Sequence, residues 1–190
     1  MNKILCVLLL LFTGCFSKTS MIEIKKHVYV EKEFKDSWLE TNEFGDSYIK
    51  EELQGGYHYH FDQQFLEIFF NTGGKIELYN YSIKKNDLII SGEMIPPKTI
   101  RLVHPHLDNV TSEGVIIHEL GHYFDEKHQF SSSKQFTKLY KKYRTLFNQK
   151  TKKEYFAECF KEYVGGHQEK VKPFHSYMKT ITQKIRQKNK

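Results

Sequence analysis

Five consecutive residues near the middle of the chain have the types and spacing of a metal site. His118 and His122 enclose Glu119 in the pattern His-Glu-x-x-His. Residues four apart lie on one face of a helix, so both imidazoles can reach a single Zn²⁺ ion. Glu119 lies one position round the helix and can reach a water beside the ion as a general base. The pattern therefore predicts a zinc-dependent hydrolytic site in which Glu119 is the catalytic residue.

A catalytic zinc site needs a third protein ligand, and the sequence offers two candidates. His128 follows His122 by six residues, the spacing of the metzincin proteases, but Asp125 stands where that pattern has a glycine. Glu154 and Glu158, four residues apart, share one face of a later predicted helix. We favour Glu154, because one carboxylate can bind the ion while Glu158 accepts a hydrogen bond from a ligand imidazole.

The sequence is also compatible with three alternatives. Thr151 precedes Glu154 by three residues, so Glu154 could serve only as the second half of a helix-capping box. A metzincin-type protease would use His128 as the third ligand. A surface lipoprotein could also retain the motif without catalysis and bind a metal or a host ligand.

The two motifs together resemble the zinc-protease domain of anthrax lethal factor and its small secreted relatives, the Pro-Pro endopeptidases. The resemblance rests on His-Glu-Leu-Gly-His at 118–122 and Glu-Tyr-Phe-Ala-Glu at 154–158, and it covers roughly residues 95–190. It implies a single zincin-type metalloprotease domain, one Zn²⁺ ion and a protein or peptide substrate. It implies that His118, His122 and Glu154 are the zinc ligands. It also implies Glu119 as the general base and Glu158 as the carboxylate that supports a ligand histidine.

The resemblance also implies two further parts of the site. Family members place a tyrosine seven residues before the ligand glutamate, where it stabilises the tetrahedral intermediate. Phe147 occupies that position here, so the oxyanion partner stays open between Tyr143 and Tyr140. The strand before the metal helix, Thr99–His104, is implied to line the cleft and to pair with an extended substrate.

Patterns of apolar residues predict the elements that must position these side chains. Thr111 or Ser112 is expected to cap the metal helix. The order predicts one α+β domain, with a small mixed sheet followed by a helical C-terminal half that carries the metal motif. The predicted strands are Val28–Val30, Lys75–Ile83, Asp87–Met94 and Thr99–His104, and the predicted helices are His60–Phe70, Asn109–His128, Ser133–Asn148, Lys152–Val164 and Val171–Lys188.

The first residues predict export. Residues 1–15 have the short basic start and the apolar stretch of a signal peptide, and they end at Cys15 in a bacterial lipobox-like pattern. We therefore predict a lipidated Cys15 that anchors the chain to a membrane, a tether over 16–22 and a metallopeptidase domain over 23–190. The expected location is extracellular or at the cell surface. Cys159, among aromatic residues, is expected to be a buried apolar side chain.

Composition sets the remaining limits. The chain has 190 residues, and its 15 Phe and 12 Tyr supply enough bulky material for a packed core. The formal net charge of +6 conceals an asymmetry, since residues 1–130 carry 13 Lys and Arg against 19 Asp and Glu, and residues 131–190 carry 16 against 4. A basic C-terminal third without a recognition motif does not predict nucleic-acid binding. A protein with several membrane spans is excluded, because the only long apolar run is at the N-terminus.

Overall fold

A computed structural model describes residues 20–41, 46–81, 83–85, 88–104, 113–149 and 151–189. The predicted signal peptide with Cys15, most of the tether, and the predicted caps Thr111 and Ser112 lie outside these ranges.

A five-stranded mixed sheet lies in the N-terminal half of the described chain, with three short helices between its second and third strands along the sequence. Its order is β1-β2-β3-β7-β6, in which β2, β3 and β7 are parallel and the two outer strands are antiparallel to their neighbours. A separate antiparallel pair, β4-β5, precedes β6. The strands are β1 Met21–Lys25, β2 Val28–Glu31, β3 Lys75–Tyr79, β4 Ile83–Lys85, β5 Leu88–Ile90, β6 Gly92–Ile95 and β7 Thr99–Val103.

Alternation along the three parallel strands creates one apolar face. Side chains two apart in a strand point to the same side, and here those sides carry β-branched residues and leucine. Six of them are fully buried, and each stabilises the fold by about 1.5–3 kcal/mol through removal of apolar surface from water. They are Val28, Val30, Ile76, Leu78, Ile100 and Leu102.

From Val115 onward the described chain is helical, and this order of a small mixed sheet followed by a helical C-terminal half confirms the predicted fold class. Among the described residues, no helix combines the length and apolar character that crossing a bilayer requires. The 3₁₀ segment Gln168–Phe174 precedes the last helix and contains Pro173, which has no backbone N–H to donate. The helices are α1 Lys35–Leu39, α2 Tyr48–Gln54, α3 Gln64–Asn71, α4 Val115–His128, α5 Lys134–Tyr143, α6 Lys152–Val164 and α7 His175–Lys188.

The centre of the core is the apolar face of α6. Phe156 and Phe160 are fully buried and contact rings from several other elements. Phe160 also packs against Phe124 of α4, with ring centroids 5.6 Å apart. Cys159 is free and fully buried, as predicted, and burial raises the pKa of its thiol. This packing holds α6 rigidly beside the metal helix.

Gly121 allows the two helices to come unusually close. A Cβ atom at this position would lie 2.9 Å from the Cα atom and 3.2 Å from the carbonyl oxygen of Ala157. Real Cβ atoms do not approach backbone this closely, and backbone atoms cannot rotate away. The glycine inside the metal motif is therefore required by the contact between α4 and α6.

Replacing Gly121 by alanine should lower the free energy of unfolding by about 1–3 kcal/mol, because the added methyl group overpacks this contact. In an ordinary helix interior the same change is stabilising by about 0.8–1 kcal/mol. Urea unfolding of the metal-free protein measures the difference. Glu126→Ala, at a 53% exposed side chain of the same helix, is the control and should change stability by about 0.5 kcal/mol or less. An unchanged Gly121→Ala variant would contradict the tight contact.

Candidate metal centre

Three side chains from two helices converge at one point beside a cleft. The Nε2 atoms of His118 and His122, one turn apart on α4, are 3.1 Å from each other. Glu154, in the first turn of α6, places Oε2 at 3.3 Å from the first nitrogen and 3.2 Å from the second. Among the described residues, these three form the group whose ligand atoms lie within 4.8 Å of one another.

The size and chemistry of this triangle fit a tetrahedral metal ion. Ligand atoms about 2.0 Å from such an ion lie about 3.3 Å from each other. Nδ1 of His118 lies 3.2 Å from Oε2 of Glu158, so the neutral imidazole keeps its proton there and leaves Nε2 as a lone pair. That lone pair then faces an oxygen of Glu154. A cation at the shared point removes the repulsion, and two imidazoles with one carboxylate are ligands that zinc prefers.

A proton on His118 can also reduce the repulsion between Nε2 of His118 and the Glu154 carboxylate. Burial alone would lower the pKa of His118, but hydrogen bonds to Glu154 and Glu158 outweigh burial and raise the pKa to about 9. Hydrogen bonds from His118 and His122 hold the pKa of Glu154 far below its usual range. Both shifts favour a proton on His118 and a charge on Glu154, so a metal that binds here would compete with that proton.

Glu154 and Thr151 show that capping and a second role are compatible. Oγ1 of Thr151 accepts a hydrogen bond from the backbone N–H of Glu154 at 3.2 Å, so the threonine half of the predicted capping box is present. The carboxylate of Glu154 nevertheless points to the two histidines. The cap fixes the first turn of α6 and therefore the position of the Glu154 backbone, from which the carboxylate extends to the histidines.

Glu119 lies between the histidines and the sheet. Its side chain is almost completely buried and lines the cleft. Burial raises the pKa of the Glu119 carboxyl, while the electrostatic effect of the neighbouring His118 and His122 lowers it. The backbone of Met94 in β6 also forms a hydrogen bond with this carboxylate. Burial outweighs the lowering effects of the histidines and of this hydrogen bond, so the carboxylate has the raised proton affinity that a general base needs.

The cleft has a volume of about 560 Å³ and runs between β6 and the metal helix. Here the structure differs from the expectation that Thr99–His104 forms the substrate strand. Thr99–Val103 lies inside the sheet, with β3 on one side and β6 on the other, so it has no free edge. The edge strand that lines the cleft is β6, Gly92–Ile95.

The register of β6 shows which of its backbone groups face the cleft. Gly92 pairs with Leu102 and Met94 with Ile100, and the N–H of Val103 donates to the carbonyl of Ser91. Hydrogen-bonded and non-bonded pairs alternate in an antiparallel ladder. Ser91 and the residues two and four positions later therefore bond to β7. Gly92 and Met94 direct their N–H and C=O groups away from the sheet.

His128 lies away from the two ligand histidines. α4 continues as a helix through His128, which is turned to a separate cavity that Lys184 and Lys188 also line. Its ring packs on Phe130 with centroids 5.1 Å apart. Asp125, at the position of the metzincin glycine, is buried and accepts hydrogen bonds from the N–H and hydroxyl of Ser131. The carboxylate caps the turn after the helix and does not direct the chain back to the metal.

The aromatic residues proposed for the oxyanion lie on the other side of α6. The rings of Tyr140 and Phe147 pack on Tyr155, at 5.2 and 5.3 Å between centroids. Tyr143 accepts a hydrogen bond from the Tyr155 hydroxyl through its carbonyl and packs on Phe174. None of these side chains lines the cleft in the described part of the chain.

The sequence did not identify several residues of this cleft. Thr151 and Lys153 at the start of α6 line it, and Lys153 lies 3.4 Å from Glu126 across the opening. Lys161, behind the centre, contacts Glu158 at 2.7 Å. A lysine in a lysine-rich segment gives no sequence signal for a site, because most such side chains are solvated. Only the helical spacing of Glu154, Glu158 and Lys161 could have indicated a role for Lys161.

Comparison with known proteins finds a similar fold in a solved structure but no similar sequence. No protein-family model matches the sequence, and no curated protein sequence matches it. The structure is similar to that of the Pro-Pro endopeptidase PPEP-2 from Paenibacillus alvei, with a TM-score of 0.50 and 15% sequence identity. The match covers 63% of this chain and 84% of that chain. At this identity the similarity concerns the fold, so a closer relation to lethal factor stays a prediction. The α+β fold, with its small mixed sheet and helical C-terminal half, is one that an endopeptidase also has.

Proposed function

We propose that this protein is an exported zinc metalloendopeptidase that hydrolyses a protein or peptide substrate. The observation that carries the proposal is the convergence of His118, His122 and Glu154 beside a cleft, with the Glu119 carboxylate facing the same space. The fold similarity to a protein named as an endopeptidase supports the same reaction class.

The proposed ligands and base divide the chemistry between them. His118, His122 and Glu154 would hold the zinc ion, which when bound polarises the scissile carbonyl and acidifies a water. Glu119 takes the proton from the attacking water and delivers it to the leaving amine. Glu158 keeps the Nδ1 proton of His118 in place, so that Nε2 is free to act as a ligand.

The edge strand would orient the substrate. Gly92 offers an outward N–H and C=O, and Met94 an outward C=O, to which an extended peptide can add as a further strand. The N–H of Met94 instead bonds to the Glu119 carboxylate. Such pairing would hold the peptide backbone beside the metal helix through main-chain hydrogen bonds alone, whatever side chains the peptide carries. Side-chain preference then depends on the walls of the cleft.

The predicted N-terminal segments complete the proposal. An export signal over residues 1–15 would bring the domain to the cell surface or beyond it, and lipidation of Cys15 would attach it there.

A peptide-cleavage assay on the purified protein tests the function. With one equivalent of Zn²⁺, we expect cleavage of internal bonds in a peptide library, identified by mass spectrometry. A chelator should abolish cleavage, and added zinc should restore it. Stoichiometric zinc binding without cleavage of any peptide would instead favour a non-catalytic metal-binding surface protein.

A further inference from the structure

Lys161 lies directly behind the proposed metal centre and is partly enclosed. Its ammonium group is 2.7 Å from Oε1 of Glu158, and both side chains are largely buried, at 16% and 14% exposure. The other oxygen of Glu158, Oε2, is the one that meets Nδ1 of His118. Each oxygen of this carboxylate thus has one strong partner, and the two partners together determine its orientation.

The charges around Glu158 explain why a cation is needed there. Glu154 precedes it by one helical turn, and Glu119 lies across the centre, so two other carboxylates are near. Glu162, one turn later, is buried as well. A carboxylate in such surroundings is destabilised unless a positive charge compensates it. Lys161 supplies that charge from the side opposite His118.

The position of Lys161 is itself fixed by its surroundings. Its ammonium group lies 5.9 Å from the centre of the Tyr59 ring and 3.8 Å from Oε1 of Glu162. Glu162 is held in turn by the Tyr59 hydroxyl, by Nδ1 of His167 and by the ammonium group of Lys170, each at 3.1 Å. The lysine therefore cannot leave Glu158 for solvent without giving up several contacts.

We propose that Lys161 is a positioning residue for the metal centre, acting through Glu158 to fix the tautomer and orientation of His118. The inference rests on the proposed function, because it assigns Lys161 to the support of a zinc ligand. Lys161 makes no contact with the three ligand atoms, so its effect is transmitted by the carboxylate between them. Partners of this kind typically change metal affinity by about 10- to 100-fold.

Zinc affinity measured by competition with a chromophoric chelator tests the inference. Lys161→Met, which keeps the stem and removes the charge, should weaken zinc binding by on the order of 10-fold. Lys161→Arg should restore most of the affinity. Lys170→Met is the matched control, since this lysine also contacts Glu162 but is 51% exposed, and it should bind zinc as the wild type does. Lys161→Gln provides a second uncharged variant in case the methionine variant does not fold.

A double-mutant cycle separates positioning from general stabilisation. If Lys161 acts through Glu158, the combination of Lys161→Met with Glu158→Gln should bind zinc within about 3-fold of Glu158→Gln alone. Effects that multiply would overturn the inference. Substitution with Co²⁺ gives a second readout, because the visible bands of Lys161→Met should change in the same direction as those of Glu158→Gln.

Further outcomes distinguish this inference from the proposed function. Unchanged zinc affinity in Lys161→Met, with a raised KM for peptide, would overturn the inference and assign the lysine to substrate binding. A wild-type protein that binds no zinc would overturn the proposed function and the inference together. A wild-type protein that binds zinc, beside an unaffected Lys161→Met, overturns the inference alone.

Discussion

Glu119→Gln is expected to lose at least about 10³-fold in kcat/KM while it retains stoichiometric zinc and the native fold. The amide has the size of the carboxylate but cannot accept a proton from the attacking water. The three ligand side chains are untouched, so metal affinity should change little. Peptide cleavage and zinc content, measured on the same preparation, check both halves of the expectation.

The control for Glu119→Gln is the same change at an exposed position. Glu169→Gln lies in the 3₁₀ segment before α7, away from the cleft, and should cleave peptide at the wild-type rate. Undiminished cleavage by Glu119→Gln would remove the base assignment. Loss of zinc together with activity would show that Glu119 supports the metal and not the proton transfer.

Glu154→Gln is expected to reduce zinc affinity by more than the 10- to 100-fold that loss of a supporting partner costs. The carboxylate contributes a ligand atom and the only negative charge among the three proposed ligands. Stability provides an independent measure: at free zinc of about 100 times Kd, binding stabilises the native state by about 2.7 kcal/mol. Most of this zinc-dependent stabilisation should disappear in the variant.

His128→Ala is the comparison that decides between the two proposed third ligands. This histidine lines a separate cavity beside Lys184, so its removal should leave zinc affinity within about 3-fold of the wild type. Thermal unfolding with and without zinc, run on both variants, gives the comparison directly. Weak zinc binding by His128→Ala, together with normal binding by Glu154→Gln, would reverse the assignment.

Every predicted helix overlaps a helix of the structure, but most of the predicted helix ends are displaced. Lys152–Val164 agrees at both ends, because Thr151 caps its start and Gly165 follows its last residue. The metal helix was predicted from Asn109 but begins at Val115, where Gly114 takes a left-handed conformation immediately before it. Ser133–Asn148 is shorter in the structure and ends at Tyr143. The apolar periodicity of the sequence can extend beyond a helix, whereas the helix itself ends where the capping geometry requires.

The strands show what local pattern cannot supply. Lys75–Ile83 and Asp87–Met94 were each predicted as one strand, and the structure divides these regions into β3, β4, β5 and β6. Alternation predicts that a segment is extended, but it contains no information about which strand is its neighbour. The substrate strand was therefore assigned to Thr99–His104, although that segment has partners on both sides.

By itself, the sequence determined the local part of the metal site. The spacing of His118 and His122 places both imidazoles on one face of a helix, since 3.6 residues per turn is a property of the backbone alone. The position of Glu154 relative to them, 32 residues after His122, was decided by the tertiary structure, through the contact of Gly121 with Ala157. The tertiary structure also decided that β6 forms the edge of the cleft and that Lys161 lies behind Glu158. Short-range geometry follows from covalent structure, whereas the meeting of distant segments depends on how their apolar faces pack.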